Sequence, residues 1–357
     1  MRRMIPFLYL CSLLLIVQIE IDESAAFFRT PPSSTQTLEA PVQGRFQHST
    51  MNDYQPKTLS EIYQSIIQQT VSMTKPWPDS DGFAKCCMDS DASDFVVPTF
   101  PEGTGPMGAF ALTRDNTHPG NEELVQTCLD AFDQFSKELA IANNSADYFL
   151  VKSLVPHITV AIFQEHPQLL PKKQKELGIA GNNNEKEDSF HFFTNEDGTR
   201  LAESLARQTS HNAPISLTLD SLILTPDGAM IAGFVDDDNG HYSKLKTDIL
   251  TSAKQVMGVQ DFTSRPKNMI HITCGRVVRR GGVLPTTATV QAAIQDLVRR
   301  YNQQVFPQIV AELKSSSSGS TLLVEQMTVL RNDVWLCEKN TVYGIGRLQG
   351  QEEEPAS

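Results

Sequence analysis

Pro156-His-Ile-Thr-Val-Ala-Ile-Phe163 and Met269-Ile-His-Ile-Thr-Cys-Gly-Arg276 are two stretches of similar design, and they decide the fold of this chain. Both are rich in β-branched and other apolar residues, which favours a strand buried on at least one face. Both also contain a histidine and a threonine separated by one isoleucine. A polar side chain in such a strand needs a hydrogen-bond partner or a wet cleft. The sequence therefore predicts two strands that each border a polar site.

The direction of the polar side chains follows from strand geometry. Residues i and i+2 of a strand point to the same face, so His157 projects with Thr159, and His271 with Thr273. The isoleucine inside each triplet then points to the opposite face, toward a core. One such histidine is usually a satisfied core residue, but two on matching strands favour a functional site.

The bare pattern His-x-Thr/Ser is not specific, because it also occurs at His48-Ser-Thr50 and His241-Tyr-Ser243. Only the context separates the four copies. The copy at 48–50 lies in a polar segment, and the copy at 241–243 follows the loop Asp236-Asp-Asp-Asn-Gly240. We interpret that loop as a solvated turn rather than a calcium site, because its glycine and distal glutamate do not have the spacing of a calcium loop.

The two histidine strands end two units with one order of elements, which indicates an internal repeat. Apolar spacing predicts a strand at 107–112, a helix at about 121–142 and a strand at about 149–163 in the first unit. The second unit has predicted strands at 215–224 and 229–234, a helix at about 242–257 and a strand at 269–278. Beyond it we predict a helix at about 287–313, a flexible joint at 315–320 and a hairpin with strands at 322–330 and 334–348.

These features resemble the two-histidine (2H) phosphoesterase superfamily, which includes RNA ligase-like cyclic phosphodiesterases. The first family motif, Pro-His-x-Thr-aliphatic-Ala-aliphatic-Phe, resembles 156–163, and the second, His-x-Thr-x-x-Arg, resembles 271–276. The sequence departs from the family at Gln164, where many members have a glycine, and at Cys274, which replaces an aliphatic residue. The spacing of 114 residues between the two histidines (271 minus 157) also exceeds the family's usual one.

The resemblance implies an α+β fold with two lobes related by a pseudo-twofold axis and antiparallel sheets around a central cleft. It covers a domain at about 95–348, with lobes at about 95–165 and 213–348 and a partly polar insertion at about 166–212. We expect a disordered acidic tail at 349–357. Before the domain, a neck at 27–94 contains one short amphipathic helix, from Leu59 to Val71, which we expect to dock.

The resemblance also implies an activity, the metal-independent hydrolysis of a 2′,3′-cyclic phosphate or a similar cyclic nucleotide or RNA-end phosphodiester. His157 would act as general acid and His271 as general base, while Thr159 and Thr273 would donate to phosphate oxygens. Arg276 lies on the face opposite Thr273 if the strand is regular, so it could contact phosphate or could instead be a surface charge or part of a structural ion pair. No cofactor and no metal are expected. A catalytically silent module that binds nucleotides or RNA ends is the alternative.

The N-terminal sequence resembles a targeting signal. Two arginines, an apolar run of 16 residues at 4–19 and small residues at 24–26 are typical of a signal peptide at 1–26. The run is short for a membrane span, which needs about 20 residues. The alternative to a cleaved signal peptide is an uncleaved anchor, which would make this a membrane-tethered interaction protein. The junction Ala25-Ala-Phe-Phe28 and the hydroxyl-rich, acid-poor segment after it resemble an algal bipartite plastid presequence. A secreted or endomembrane location is the other possibility.

Charge and cysteine content limit the partners. The net charge of −12 argues against an extended grip on nucleic acid, which needs a basic surface. The six cysteines show no zinc-like spacing, so we expect a reduced protein without disulfides, with Cys274 in the core rather than reactive. The expected partner is a small cyclic-phosphate or RNA-end substrate. We expect a monomer without a membrane contact in its mature form.

Overall fold

The structure of the protein is a computed structural model. It describes residues 58–73, 102–142, 148–153, 155–164, 191–258, 269–279, 287–316, 319–332 and 341–349. The predicted signal peptide, the parts of the neck at 27–57 and 74–94, and almost all of the predicted acidic tail lie outside the described residues. In the part that is described, no helix is long and apolar enough to cross a membrane.

Nine strands and six helices make up the described residues. The strands are β1 (Met107–Leu112), β2 (Tyr148–Lys152), β3 (His157–Gln164), β4 (Ile215–Leu224), β5 (Ala229–Val235), β6 (Ile270–Arg279), β7 (Thr321–Val324), β8 (Gln326–Arg331) and β9 (Thr341–Arg347). The helices are α1 (Leu59–Val71), α2 (Pro119–Ala142), α3 (Asn195–Thr209), α4 (His241–Met257), α5 (Ala288–Arg300) and α6 (Phe306–Ser315). A π-helical turn at Tyr301–Val305 joins α5 to α6, so the predicted helix at 287–313 is one continuous element.

All nine strands form one antiparallel sheet in the order β7-β4-β5-β6-β3-β1-β8-β9, with β2 paired to β6 beyond the end of β3. The α+β class and the antiparallel pairing that the sequence predicted are confirmed. The two histidine strands are neighbours at the centre, where Ile158 pairs with Ile272. Both isoleucines are 1% exposed and face the main core, which is covered by helices α2 to α6.

A single residue, Glu325, separates β7 from β8, although the two strands have different partners. β7 pairs with β4, and β8 pairs with β1. The predicted single strand at 322–330 is therefore wrong in this respect, because its halves belong to opposite parts of the sheet. The amide of Asn116 marks the break, since its oxygen accepts from the backbone N–H groups of Glu325 (2.7 Å) and Gln326 (2.9 Å). The sheet must curl strongly for one such segment to reach both β4 and β1.

Helix α1 is the short helix expected in the neck, and it packs on the sheet face opposite the main core. Its start is fixed by a capping box in which Thr58 and Glu61 satisfy each other's backbone N–H groups. Its apolar side bears Tyr63, Ile66 and Ile67, and together with three residues of β4 and β5 these form a second buried cluster: Ile223, Ala229 and Ile231. The folded unit thus extends back to Thr58.

Helix α3 lies within the segment that the sequence analysis assigned to a partly polar insertion at 166–212. A second capping box, between Thr194 and Asp197, begins it, and Leu201 and Leu205 are buried in the main core. The box and the spacing of four between these leucines were readable in the sequence. The end of this segment is therefore part of the fold, whereas 165–190 lies outside the described residues.

Candidate active site

The four predicted site residues form one patch at the centre of the sheet. Because Ile158 pairs with Ile272 in an antiparallel ladder, the same register sets His157 opposite Thr273 and Thr159 opposite His271. All four side chains point away from the main core, and all four are partly exposed. The structure thus brings both histidines and both threonines together, with unlike residues opposite each other.

The register also sets the scale of the patch. Directly opposed Cβ atoms in an antiparallel pair lie about 4.5–5.5 Å apart, and diagonal neighbours about 7–8 Å apart. His157 and His271 are diagonal neighbours, as are Thr159 and Thr273. One phosphate group between the strands could therefore meet an imidazole on each of two opposite sides and a hydroxyl on each of the other two.

An irregular connection before β3 orients His157. Six residues lead from Lys152 to Ile158, whereas only three lead from Ile272 to Gly275 on the facing strand. The connection therefore has three residues more than the facing stretch of β6, although Ser153 still donates its N–H to the Cys274 carbonyl oxygen at 3.0 Å. Within this connection the carbonyl oxygen of Val155 lies 2.9 Å from Nδ1 of His157.

This contact fixes the tautomer of His157. A carbonyl oxygen can only accept a hydrogen bond, so Nδ1 of His157 carries the proton. Nε2 is then the nitrogen that gains or loses a proton as the ring titrates. Phe110 of β1 packs edge-on against this ring, with centroids 5.3 Å apart and planes at 79°. Neither Phe110 nor the Val155 carbonyl was singled out in the sequence.

The surroundings of His271 come from distant parts of the chain. On β5, the residue opposite His271 is Gly233, which has no side chain to cover the histidine's backbone. The ring of Tyr63 fills that space, since a Cβ atom on Gly233 would lie 2.8 Å from it. The Tyr63 hydroxyl reaches the backbone of Ile270, the residue directly before His271, with O···O and O···N distances of 2.6 and 3.2 Å.

Arg276 lies in a buried ion pair. Its NH1 atom donates to Oδ2 of Asp227 at 2.8 Å and to the Asp227 carbonyl oxygen at 3.2 Å, and both side chains are about 95% buried. Burial raises the pKa of the Asp227 carboxyl, but the charge of Arg276 and the hydrogen bonds from Thr225 and Arg276 together outweigh burial, so the pKa is lowered overall. Of the two alternatives for Arg276, the structure contains the ion pair; a contact with phosphate stays a prediction.

Arg276 would lie on the opposite face from Thr273 only if β6 were regular, and β6 is not regular. Ile231 pairs with Thr273 but Met230 pairs with Gly275, so Cys274 is an extra residue on β6. Such a bulge reverses the alternation of side chains beyond it. Arg276 pairs with Ala229, which belongs to the α1 cluster, and so returns to the face that bears the site.

Cys274 and the acidic loop have structural roles. Cys274 is 2% exposed in the main core, where burial raises the pKa of its thiol, as it does for Cys128 in α2. Both are free cysteines. In the loop, the Asp236 carboxylate accepts from the backbone N–H groups of Tyr242 and Ser243 at the start of α4. The N–H of Gly240 donates to the Asp237 carbonyl oxygen at 2.9 Å, so the loop contains a turn, and the choice of a solvated turn over a calcium site stays an interpretation.

The residues that meet at the site can transfer protons and donate hydrogen bonds. Two imidazoles can act as acid and base near neutral pH, and two hydroxyls can donate to an anion. Among the described residues, no three His, Cys, Asp or Glu side chains come together in a way that could hold a metal ion.

Comparison with known proteins gives structural likenesses at low sequence identity. No protein-family model and no curated protein sequence matches this chain. Among solved structures it is similar to the protein TT0787 of Thermus thermophilus, with 12% identity and a TM-score of 0.35 over 69% of this chain and 99% of that one. It is also similar to Usb1 of Kluyveromyces marxianus, with 9% identity and a TM-score of 0.34 over 68% of this chain and 100% of the other.

Proposed function

We propose that the protein is a 2H-type phosphodiesterase that hydrolyses a 2′,3′-cyclic phosphate, or a similar cyclic nucleotide or RNA-end phosphodiester, without a metal. The observation that carries this proposal is the crossed patch of two histidines and two threonines. The two strands have the residues of both family motifs, and the Ile158–Ile272 register sets those residues on one face. A two-lobed arrangement about a pseudo-twofold axis through this pair is part of the proposal.

The patch supplies each proton transfer that the reaction needs. A water molecule attacks phosphorus and loses a proton to one imidazole, and the bond from phosphorus to the 2′ or 3′ oxygen breaks. The departing oxygen takes a proton from the other imidazole. By resemblance to the family, His271 is the base and His157 the acid. The fixed tautomer of His157 suits this role, because a proton on Nδ1 leaves Nε2 to hold the one that is transferred.

The threonine hydroxyls stabilise the charge that develops on phosphorus. Thr159 and Thr273 lie on the diagonal that crosses the line between the histidines, so their hydroxyls can donate to the two non-bridging oxygens. Donors held in place before the reaction stabilise a transition state without reorganising.

A silent binding module on the same fold is the alternative. Binding a phosphate needs donors, and one histidine with two threonines would supply them. The site has a second histidine, diagonal to the first, in addition to both threonines. Binding does not need this second imidazole, but proton transfer does. This pairing favours the enzyme.

A substrate screen with the full-length protein tests the proposal. Cyclic nucleotides, nucleoside 2′,3′-cyclic phosphates and oligonucleotides with cyclic-phosphate ends are incubated with the protein, with and without EDTA. We expect turnover of at least one class, a bell-shaped pH profile with two ionisations near neutrality, and no loss in EDTA. Activity that chelation abolishes and a divalent ion restores would contradict the metal-free mechanism. Binding without turnover would favour the silent module.

We also propose that residues 1–50 direct the protein to a plastid through a signal peptide followed by a transit peptide. The support is the order of a basic start, an apolar run, small residues and an aromatic residue at Phe27. Fused to a fluorescent reporter in an alga with secondary plastids, this segment should give plastid import, and Phe27→Ala should divert it. Export of the unmodified fusion to the medium would contradict the proposal.

A further inference from the structure

We propose that Tyr63 is a positioning residue for His271, so that helix α1, which precedes the repeated units, completes the active site. The inference rests on the proposed function, because it treats His271 as a proton-transfer group.

The Tyr63 hydroxyl is built into the ladder between β5 and β6. Its oxygen lies 2.6 Å from the carbonyl oxygen of Ile270 and 2.8 Å from that of Phe234, and its single proton can bond to either. It also accepts the N–H of Ile270 at 3.2 Å. Phe234 and Ile270 are opposite each other in the ladder, and this pair is next to the pair of Gly233 and His271. One hydroxyl therefore sets the separation of the two strands directly before the histidine.

The Tyr63 ring packs on the sheet face at Gly233, directly opposite His271 in the ladder. Tyr63 is fully buried, and a Cβ atom on Gly233 would approach three ring carbons to between 2.8 and 3.0 Å. The missing side chain therefore lets the aromatic ring lie directly on β5 beside His271. A strand glycine often marks such a close approach. The contact of the ring with Gly233 sets the distance of Tyr63 from the sheet. The hydroxyl then holds the backbone of Ile270 in place.

Other contacts hold α1 without touching β6. Ser60 donates to the Asp220 carboxylate of β4 at 2.8 Å, and Gln295 of α5 donates to the Met73 carbonyl at 3.0 Å. Ile66 and Ile67 are also buried against the sheet. Because α1 would remain docked on these contacts, removal of the Tyr63 hydroxyl alone isolates its effect on His271.

The test compares Tyr63→Phe with Tyr242→Phe in the full-length protein. Tyr242 is a matched control, since it is 2% exposed and its hydroxyl has no hydrogen-bond partner within the described part of the chain. The first readout is the NMR titration of the two imidazoles, His157 and His271, which needs no turnover. The second is the pH profile of kcat on a substrate found in the screen.

In Tyr63→Phe we expect the chemical shift and titration of His271 to change while those of His157 stay as in the parent. We expect kcat to fall by about tenfold with KM changed by less than about twofold, since a lost hydrogen bond of this kind is worth about one factor of ten. Tyr242→Phe should leave both histidines and kcat unchanged. An unchanged His271 titration in a folded Tyr63→Phe protein would overturn the proposal.

A second variant covers the case in which Tyr63→Phe does not fold. Gly233→Ala displaces the ring from the strand side, and it should alter the titration of His271 but not that of His157. Equal changes in both histidines, or in neither, would overturn the proposal. A His271 that responds in a protein without turnover on any substrate would leave the positioning role standing and sink the proposed function.

Discussion

His157 and His271 occupy equivalent places in two similar strands, yet they are held in different ways. His157 is held by its own neighbourhood, since its Nδ1 proton bonds to Val155 two residues earlier and its ring packs on Phe110 of the adjacent strand. The backbone before His271 is held by Tyr63, a residue 207 positions away from Ile270 in the sequence. The first support is local and direct, and the second is remote and acts through the backbone.

This difference teaches that a repeated motif need not have a repeated environment. Proton transfer at a phosphate requires an acid and a base at the same moment, and unlike surroundings are the means by which two similar groups take different roles. Changes near His157 should therefore act on that ring alone, whereas changes that reach His271 should act through β5, β6 and α1.

The largest effect should come from removing either ring. His157→Ala and His271→Ala should each lower turnover by about two to four orders of magnitude, the usual contribution of a positioned proton-transfer group. The double variant should lose less than the product of the single losses, because residues that act as a unit are not additive. The matched control is His241→Ala, in an exposed copy of the pattern, which should keep full kcat. Retained turnover in either single variant would contradict the shared mechanism.

The next largest effect concerns the ion pair on the His271 side. Arg276→Met leaves the Asp227 carboxylate buried without its cation, which should lower the free energy of unfolding by about 3–5 kcal/mol. The measurement is urea denaturation. Arg299→Met is the control, since Arg299 pairs with Asp296 on the surface and its loss should cost about 1 kcal/mol or less. A stable Arg276→Met protein with a greatly raised KM would instead favour a contact with phosphate.

The same pair predicts a dependence on pH. The pKa of Asp227 is lowered in the folded protein, so the pair contributes stability above the unfolded pKa of about 3.9. This contribution is lost as the pH falls through the lower, folded pKa. In Asp227→Asn, the free energy of unfolding should therefore fall less steeply as the pH is lowered below about 4. If it falls as steeply as in the parent protein, the lowered pKa of Asp227 is contradicted.

Removing one hydroxyl should have a smaller effect on turnover than removing a ring. Thr159→Val and Thr273→Val each delete one proposed donor to phosphate and keep the shape of the side chain, so kcat should fall by about a hundredfold, the low end for the loss of one such donor. The comparison of the two variants is informative, because Thr159 lies opposite His271 and Thr273 opposite His157. Thr328→Val is the control, since its buried hydroxyl has no hydrogen-bond partner among the described residues. A loss equal to that of the histidine variants would assign the threonines to proton transfer.

The smallest effect should come from Phe110→Leu. The edge-on contact with His157 is worth about 0.5–1.5 kcal/mol beyond the buried area, so kcat should change by less than about tenfold. The titration of His157 should move and that of His271 should not. Phe132→Leu is the control, since Phe132 makes a similar edge-on contact with Phe306 away from the site. A change in both histidines would show that the two surroundings are coupled.

Much of this arrangement could be read from the sequence, because the relevant patterns are local. Alternating apolar residues indicated β3 and β6, and the His-x-Thr spacing set both polar residues on one face. The ladder register, the bulge at Cys274 and the partner of Arg276 depend on which strand lies alongside, and no local pattern encodes that. For the same reason the amphipathic spacing of α1 predicted a docked helix but not that Tyr63 would reach Ile270.

The connection of β7 to β8 by the single residue Glu325 has a consequence for the order in which the sheet can fold. One segment completes both β4 and β1, so β4 lacks its β7 neighbour until residue 324 has been synthesised, and β1 lacks its β8 neighbour until residue 331 has been synthesised. Pairings between such distant residues form slowly, because loop closure precedes any gain from the contacts. A ribosome-bound chain should thus lack both of these pairings until late in translation.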